Sequence, residues 1–157
     1  MKLIVFTGPT LPPADARKSL DADYRPPAAI GDVYKAALER PCAIGIIDGY
    51  YETTPSIWHK EVLWALAQGI HVYGAASMGA LRAAELAAFG MVGVGKVFEF
   101  YRDGIIEDDD EVAVLHSPAE MGYLPITEAM VNIRATLARA AEEKIIDRSA
   151  AEQLVAT

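Results

Sequence analysis

One cysteine, Cys42, stands in a chain of 157 residues, which excludes an internal disulfide and a CxxC metal site and makes a reducing compartment the expectation. Long apolar runs are also missing. The opening Met1-Lys2-Leu3-Ile4-Val5-Phe6 breaks at Thr7-Gly8-Pro9, too soon for a signal peptide or a membrane span. A cytoplasmic protein with no membrane contact is therefore expected. Basic residues are few: 14 Lys and Arg face 22 Asp and Glu, leaving a formal charge of -8 and no extended basic run. Nucleic-acid binding needs clustered cations to neutralise phosphates, so no nucleic-acid partner is expected. No G-x-G-x-x-G or Walker pattern follows the first apolar run, and no EF-hand spacing or internal repeat occurs; a nucleotide-binding domain is disfavoured, and no cofactor or metal is implied.

What is present suits a packed globule. Apolar residues make up 52% and charged residues 23% of the chain, too hydrophobic for disorder, and the length fits one domain over residues 1–157. Apolar runs at Leu3 to Phe6, Ala43 to Ile47 and Val72 to Ala76 precede helical patterns, the mark of βα units. None alternates strictly, as expected of strands covered on both faces. The reading is an α/β fold with an open, mostly parallel, doubly wound (Rossmann-like) sheet and helices on both faces. Further expectations are a short helix in Asp15 to Leu20, a strand around Asp23 to Arg25, and a helix over Ile30 to Arg40. Thr54-Pro55 predicts a helix start running to Gln68, with Gly69 as its stop. Another helix is expected from just after Ser77 to Gly90. Phe98 to Tyr101 suits a short helix within a loop, Val112 to Leu115 a strand, and Thr127 to Lys144 an amphipathic helix.

Gly74-Ala75-Ala76-Ser77-Met78-Gly79-Ala80 is the strongest local signal, because it displays a serine where a strand turns sharply into a helix. It matches the nucleophile elbow G-x-S-x-G except that Ala75 replaces the first glycine. The amides of Met78 and Gly79 would face an oxyanion at the positive end of the helix dipole; a plain helix cap is the competing reading of Ser77. Arg82 lies one turn on, near the anion position, with Glu85 placed to pair with it, and an exposed ion pair is the alternative. Asp48 emerges at the carboxyl edge of its strand, where open sheets put their sites, or makes a turn with Gly49. If its strand neighbours the one leading to Ser77, the two tips lie about 5 Å apart in backbone. His59, early in its helix and expected to face inward or along the sheet edge, is a packed residue or a general base. Thr7 and Gly8 end the first strand at the same edge. The acidic run Glu107 to Glu111 suits a cation, a basic partner face or plain solvation.

Ile46-Ile47-Asp48-Gly49-Tyr50-Tyr51, Trp58-His59-Lys60-Glu61, the block from Gly74 to Leu86 and Asp109-Asp110-Glu111-Val112-Ala113-Val114 closely resemble TfuA-like proteins. Phe6-Thr7-Gly8-Pro9-Thr10-Leu11 and Met130-Val131-Asn132-Ile133-Arg134 are similar to that family too. The resemblance implies a partner of YcaO enzymes in peptide backbone thioamidation, as in RiPP biosynthesis. It implies that the chain hydrolyses the thiocarboxylated tail of a ubiquitin-like sulfur carrier, releases sulfide and stimulates the YcaO enzyme. On that footing Ser77 is the expected nucleophile, His59 the base and Asp48 its orienter. Arg82, oriented by Glu85, would join Met78, Gly79, Thr7 and Gly8 in binding the anion. The alternative is a non-catalytic module docking on YcaO and the carrier through the acidic run and Tyr50, Tyr51, Phe98, Phe100 and Tyr101.

Overall fold

Short extended runs, mostly apolar except for Asp23-Tyr24-Arg25, pair in parallel into an open sheet of order β2-β1-β3-β4-β5. The strands are β1 (Leu3–Phe6), β2 (Asp23–Arg25), β3 (Ala43–Ile46), β4 (His71–Ala75) and β5 (Val92–Val94) in a computed structural model that describes residues 2–51 and 54–156. Parallel neighbours need crossovers. These contain α1 (Pro13–Ala16), α2 (Asp32–Leu38), α3 (His59–Ala67) and α4 (Met78–Leu86), and α5 (Lys96–Arg102), α6 (Met130–Glu142) and α7 (Arg148–Val155) follow the last strand. The fold is the expected α/β Rossmann-like one. Among the described residues no helix is long and apolar enough to cross a membrane.

The order reverses direction at β1, so right-handed crossovers put α1 on one face and α2, α3 and α4 on the other. The reversal also opens a crevice at the carboxyl ends of β1 and β3. Ile4, Phe6, Ile44, Ile46 and Val72 form one side of the main core, against Val33, Ala36, Val62, Ala65, Ala83 and Leu86. The opposite face is covered unevenly. Val5 is buried there, whereas Tyr73, Val92 and Val94 remain 42%, 45% and 51% exposed. Coverage on both faces thus holds at β1 and thins toward β5, because the crossover helices α2 to α4 all serve the other side.

Glycine lets α4 sit directly on the sheet. A Cβ on Gly79 would lie 1.8 Å from the Ile46 carbonyl oxygen, and one on Gly74 would lie 2.0 Å from the Gly79 oxygen. Instead of a side chain, a backbone hydrogen bond of 3.2 Å from Gly79 N to Ile47 O joins helix to strand.

Three local expectations are corrected. The third helix starts at His59, not at Thr54-Pro55, because the Glu61 carboxylate reaches back to the Trp58 N–H at 3.2 Å. The same carboxylate accepts from the N–H groups of Gly31 and Tyr34 near the start of α2. Val112 to Leu115 forms no strand; a short 3-10 turn, Asp109–Glu111, precedes it, and the next residue, His116, pairs with Pro125 in an isolated antiparallel bridge outside the sheet. β5 went unanticipated because it is three residues long with Gly93 at its centre, where the Phe98 ring lies 2.1 Å from the position a Cβ would take.

Candidate functional site

Ser77 follows β4 directly. The chain turns at Ala76, whose φ of 57° is left-handed; such a conformation costs a residue with a Cβ about 1 kcal/mol, so the packing of α4 on the sheet must impose it. The Ser77 hydroxyl makes no cap bond to α4, which removes the plain-cap reading. It donates instead to the Val112 carbonyl at 3.2 Å and lies 3.2 Å from the Tyr51 hydroxyl. With its one proton committed to Val112, Ser77 accepts from Tyr51. Burial pushes the Tyr51 phenol well above its ordinary pKa, so it stays protonated and remains a donor.

Ser77 is 8% exposed and opens on a cavity of about 190 Å³. A second apolar cluster of Ile106, Val112, Ala129 and Val131, with Tyr51, Val97 and Val114 packed against it, covers this part of the sheet edge. The polar lining of the cavity comprises Thr10, Ser77, Thr127, Glu128 and Asn132.

His59 and Arg82 meet at Glu85. The Glu85 Oε2 atom accepts from Arg82 Nη1 at 2.7 Å and is 2.8 Å from His59 Nε2. His59 does not face inward; its side chain is 48% exposed, and no hydrogen bond joins it to Ser77 or Asp48. Arg82 is nearly buried rather than part of an exposed pair. Its Nε donates to Ile57 O at 3.1 Å and its Nη2 to Ser56 Oγ at 3.2 Å, so three of the five guanidinium N–H groups are engaged by described residues. Arg82 and Glu85 line a different cavity, about 570 Å³, with Tyr51, Met78, Glu107, Asp108 and Asp109. Tyr51 thus lines this second cavity while its hydroxyl reaches Ser77 Oγ.

Asp48 is 2% exposed and already fully engaged. Its Oδ2 accepts from Gly8 N at 2.7 Å and Thr10 N at 3.2 Å, and its Oδ1 accepts from Thr10 Oγ1 at 2.6 Å. The loop after β1 is thus an anion cradle whose anion is the chain's own carboxylate. Desolvation raises the Asp48 pKa, with these hydrogen bonds opposing the shift. Gly8 is corrected from a ligand donor to a donor to Asp48. Thr7 is corrected likewise: it is 1% exposed, and its hydroxyl donates to Leu11 O at 2.6 Å. The Gly79 amide is spent on Ile47, and Met78 is 1% exposed with its side chain packed where a Cβ on Gly49 would fall.

The strands carrying Asp48 and Ser77 are neighbours as expected, yet the predicted Ser77–His59–Asp48 relay is not assembled. Ser77 has Tyr51 and Val112 as partners, His59 has Glu85, and Asp48 has the β1 loop. Sequence reasoning missed the contact between Tyr51 and Ser77, and it placed Glu128 inside a helix; α6 begins only at Met130. The acidic run divides as well. Glu111 takes a bidentate bond from Arg134, while Glu107, Asp108 and Asp109 rim the Arg82 cavity.

A family model described as TfuA-like protein matches residues 48–157, from the tip of β3 through Ser77, Arg82 and α6. No curated protein matches the chain.

Proposed function

Since the chain belongs to the TfuA-like family, we propose that it supplies sulfide to a YcaO-type enzyme for peptide backbone thioamidation by hydrolysing the thiocarboxylated tail of a small ubiquitin-like sulfur carrier. The observation that carries this reading is the Ser77 hydroxyl, held at a strand-to-helix elbow by Tyr51 and facing a partly open cavity. A cavity of about 190 Å³ corresponds to roughly six waters at ~30 Å³ each, room for a thin extended chain terminus.

The chemistry balances with the groups at hand. The Ser77 oxygen attacks the thioacyl carbon of R–C(=O)S⁻, the C–S bond breaks, and the serine proton leaves on sulfur as HS⁻. Acylation thus needs no basic side chain on Ser77, in keeping with its two observed partners. Water then converts the ester to a carboxylate. Tyr51, kept protonated by burial, is a donor beside the reacting oxygen. The positive end of the α4 dipole favours negative charge beside Ser77.

Sulfide release from a thiocarboxylated carrier by Ser77→Ala tests the proposal. Loss of release is expected, and release at the unmodified rate excludes the nucleophile.

A docking module without bond-breaking is the second reading. It is favoured by the exposed apolar side chains Leu115, Met121, Leu124 and Ile126 on the segment beside the cavity. Co-purification with a YcaO enzyme, together with background sulfide release, would select it.

A further inference from the structure

We infer that Glu128 is the general base that activates water against the Ser77 ester, an inference that depends on Ser77 being the nucleophile. The acylation step above discards its proton on sulfur. Deacylation has no such outlet: the incoming water must lose a proton as its oxygen bonds to the carbonyl carbon. Neither His59 nor Asp48 lines the Ser77 cavity. His116 does not line it either; its Nδ1 lies 2.9 Å from Ser117 O, and its ring packs between Tyr50 and Tyr123.

Glu128 is the one ionisable side chain among the described residues lining the cavity. It is also oriented. Its Oε1 accepts from Asn132 Nδ2 at 2.6 Å and from Ala129 N at 3.2 Å. Both bonds fall on the same oxygen, so Oε2 accepts from no described residue and is available to water. The position follows from α6: Glu128 lies just before the helix and Asn132 in its first turn, which brings the two side chains together on the cavity side.

In the step itself, Glu128 Oε2 takes one proton from water as the water oxygen bonds to the ester carbon. That proton passes to Ser77 Oγ as the C–O bond to serine breaks. That transfer restores Glu128 as a carboxylate and Ser77 as a hydroxyl, and the carboxylic acid formed loses its own proton to solvent.

Glu128→Gln keeps the size of the side chain and an oxygen acceptor for Asn132. With a thiocarboxylated carrier it should release about one equivalent of sulfide per chain in a burst and then turn over about 100-fold or more slowly. Intact mass should show the carrier esterified to the chain, mapping to Ser77. Ser77→Ala should give neither burst nor adduct. Formate should partly restore turnover to Glu128→Ala, a rescue that a purely structural role does not produce. Steady turnover by Glu128→Gln within about twofold of the unmodified chain, or loss of its burst, overturns the assignment while leaving Ser77 in place. Normal release by Ser77→Ala overturns the underlying reading instead.

Discussion

Gly79→Ala sets two physical effects against each other. In the first turn of a helix, alanine is favoured over glycine by up to about 1 kcal/mol, so propensity alone makes the variant more stable. The new Cβ, however, would lie 1.8 Å from Ile46 O, 2.6 Å from Ile46 C and 3.3 Å from Ile47 N. All three are backbone atoms of the central strand region and cannot rotate away. Relief requires α4 to lift by more than an ångström, which also lengthens the 3.2 Å bond from Gly79 N to Ile47 O. Overpacking of about 1–3 kcal/mol or more, plus about 1 kcal/mol for the hydrogen bond, exceeds the propensity gain. The net expectation is destabilisation by about 1–3 kcal/mol, a fall in Tm of about 2–12 °C for a chain of this size. Urea unfolding with an unchanged m-value is the assay. Gly45→Ala is the control: its Cβ would meet Val5 at 3.4 Å, ordinary contact, so it should change stability by less than about 1 kcal/mol. Stability of Gly79→Ala at or above that of the unmodified chain would refute the direct seating of α4 on the sheet.

Arg82→Lys keeps the charge but cannot serve Ile57 O, Glu85 Oε2 and Ser56 Oγ together, so a loss of about 1–3 kcal/mol is expected in equilibrium unfolding. Glu39 gives a pH prediction. Arg25 foremost, then Lys2, hold its carboxyl down from 4.5 to about 2. A depressed folded pKa stabilises above the unfolded value and loses that contribution as pH falls through the folded one. Glu39→Gln should therefore flatten the acid limb of the stability profile between pH 4.5 and 2, and an unaltered limb counts against the pairing.

Much of the architecture was legible along the chain because strand tips and helix stops are local matters. Leu3 to Phe6, Asp23 to Arg25 and Ala43 to Ile46 pair as strands where their apolar or extended pattern put them. Two of the failures have their cause in distant partners, and the first is a local cap that the sequence reading passed over. Glu61 sets the start of α3 by bonding Trp58 N, and β5 exists because β4 offers Val92 to Val94 an edge. Val112 to Leu115 has strand composition but joins none of the five strands; its carbonyl at Val112 goes to Ser77 instead.

The site divides in the same way. Serine at an elbow was readable from Gly74 to Ala80, since backbone direction and small residues are encoded within a few positions. Which groups surround it was not. Asp48 turned toward the β1 loop, where three donors stabilise a desolvated carboxylate, and His59 turned outward to Glu85. Tyr51 came to the Ser77 hydroxyl, and Glu128 to the cavity beside it, from segments 26 and 51 residues away from Ser77 in sequence. The sequence by itself determined the first four strands and the helices between them, the acidic balance and the tight strand-to-helix turn that carries Ser77, because each depends on neighbours a few residues apart. Only the tertiary structure decided which acid, phenol or imidazole faces that hydroxyl, because side-chain hydrogen bonds form across elements whose relative placement is fixed by packing.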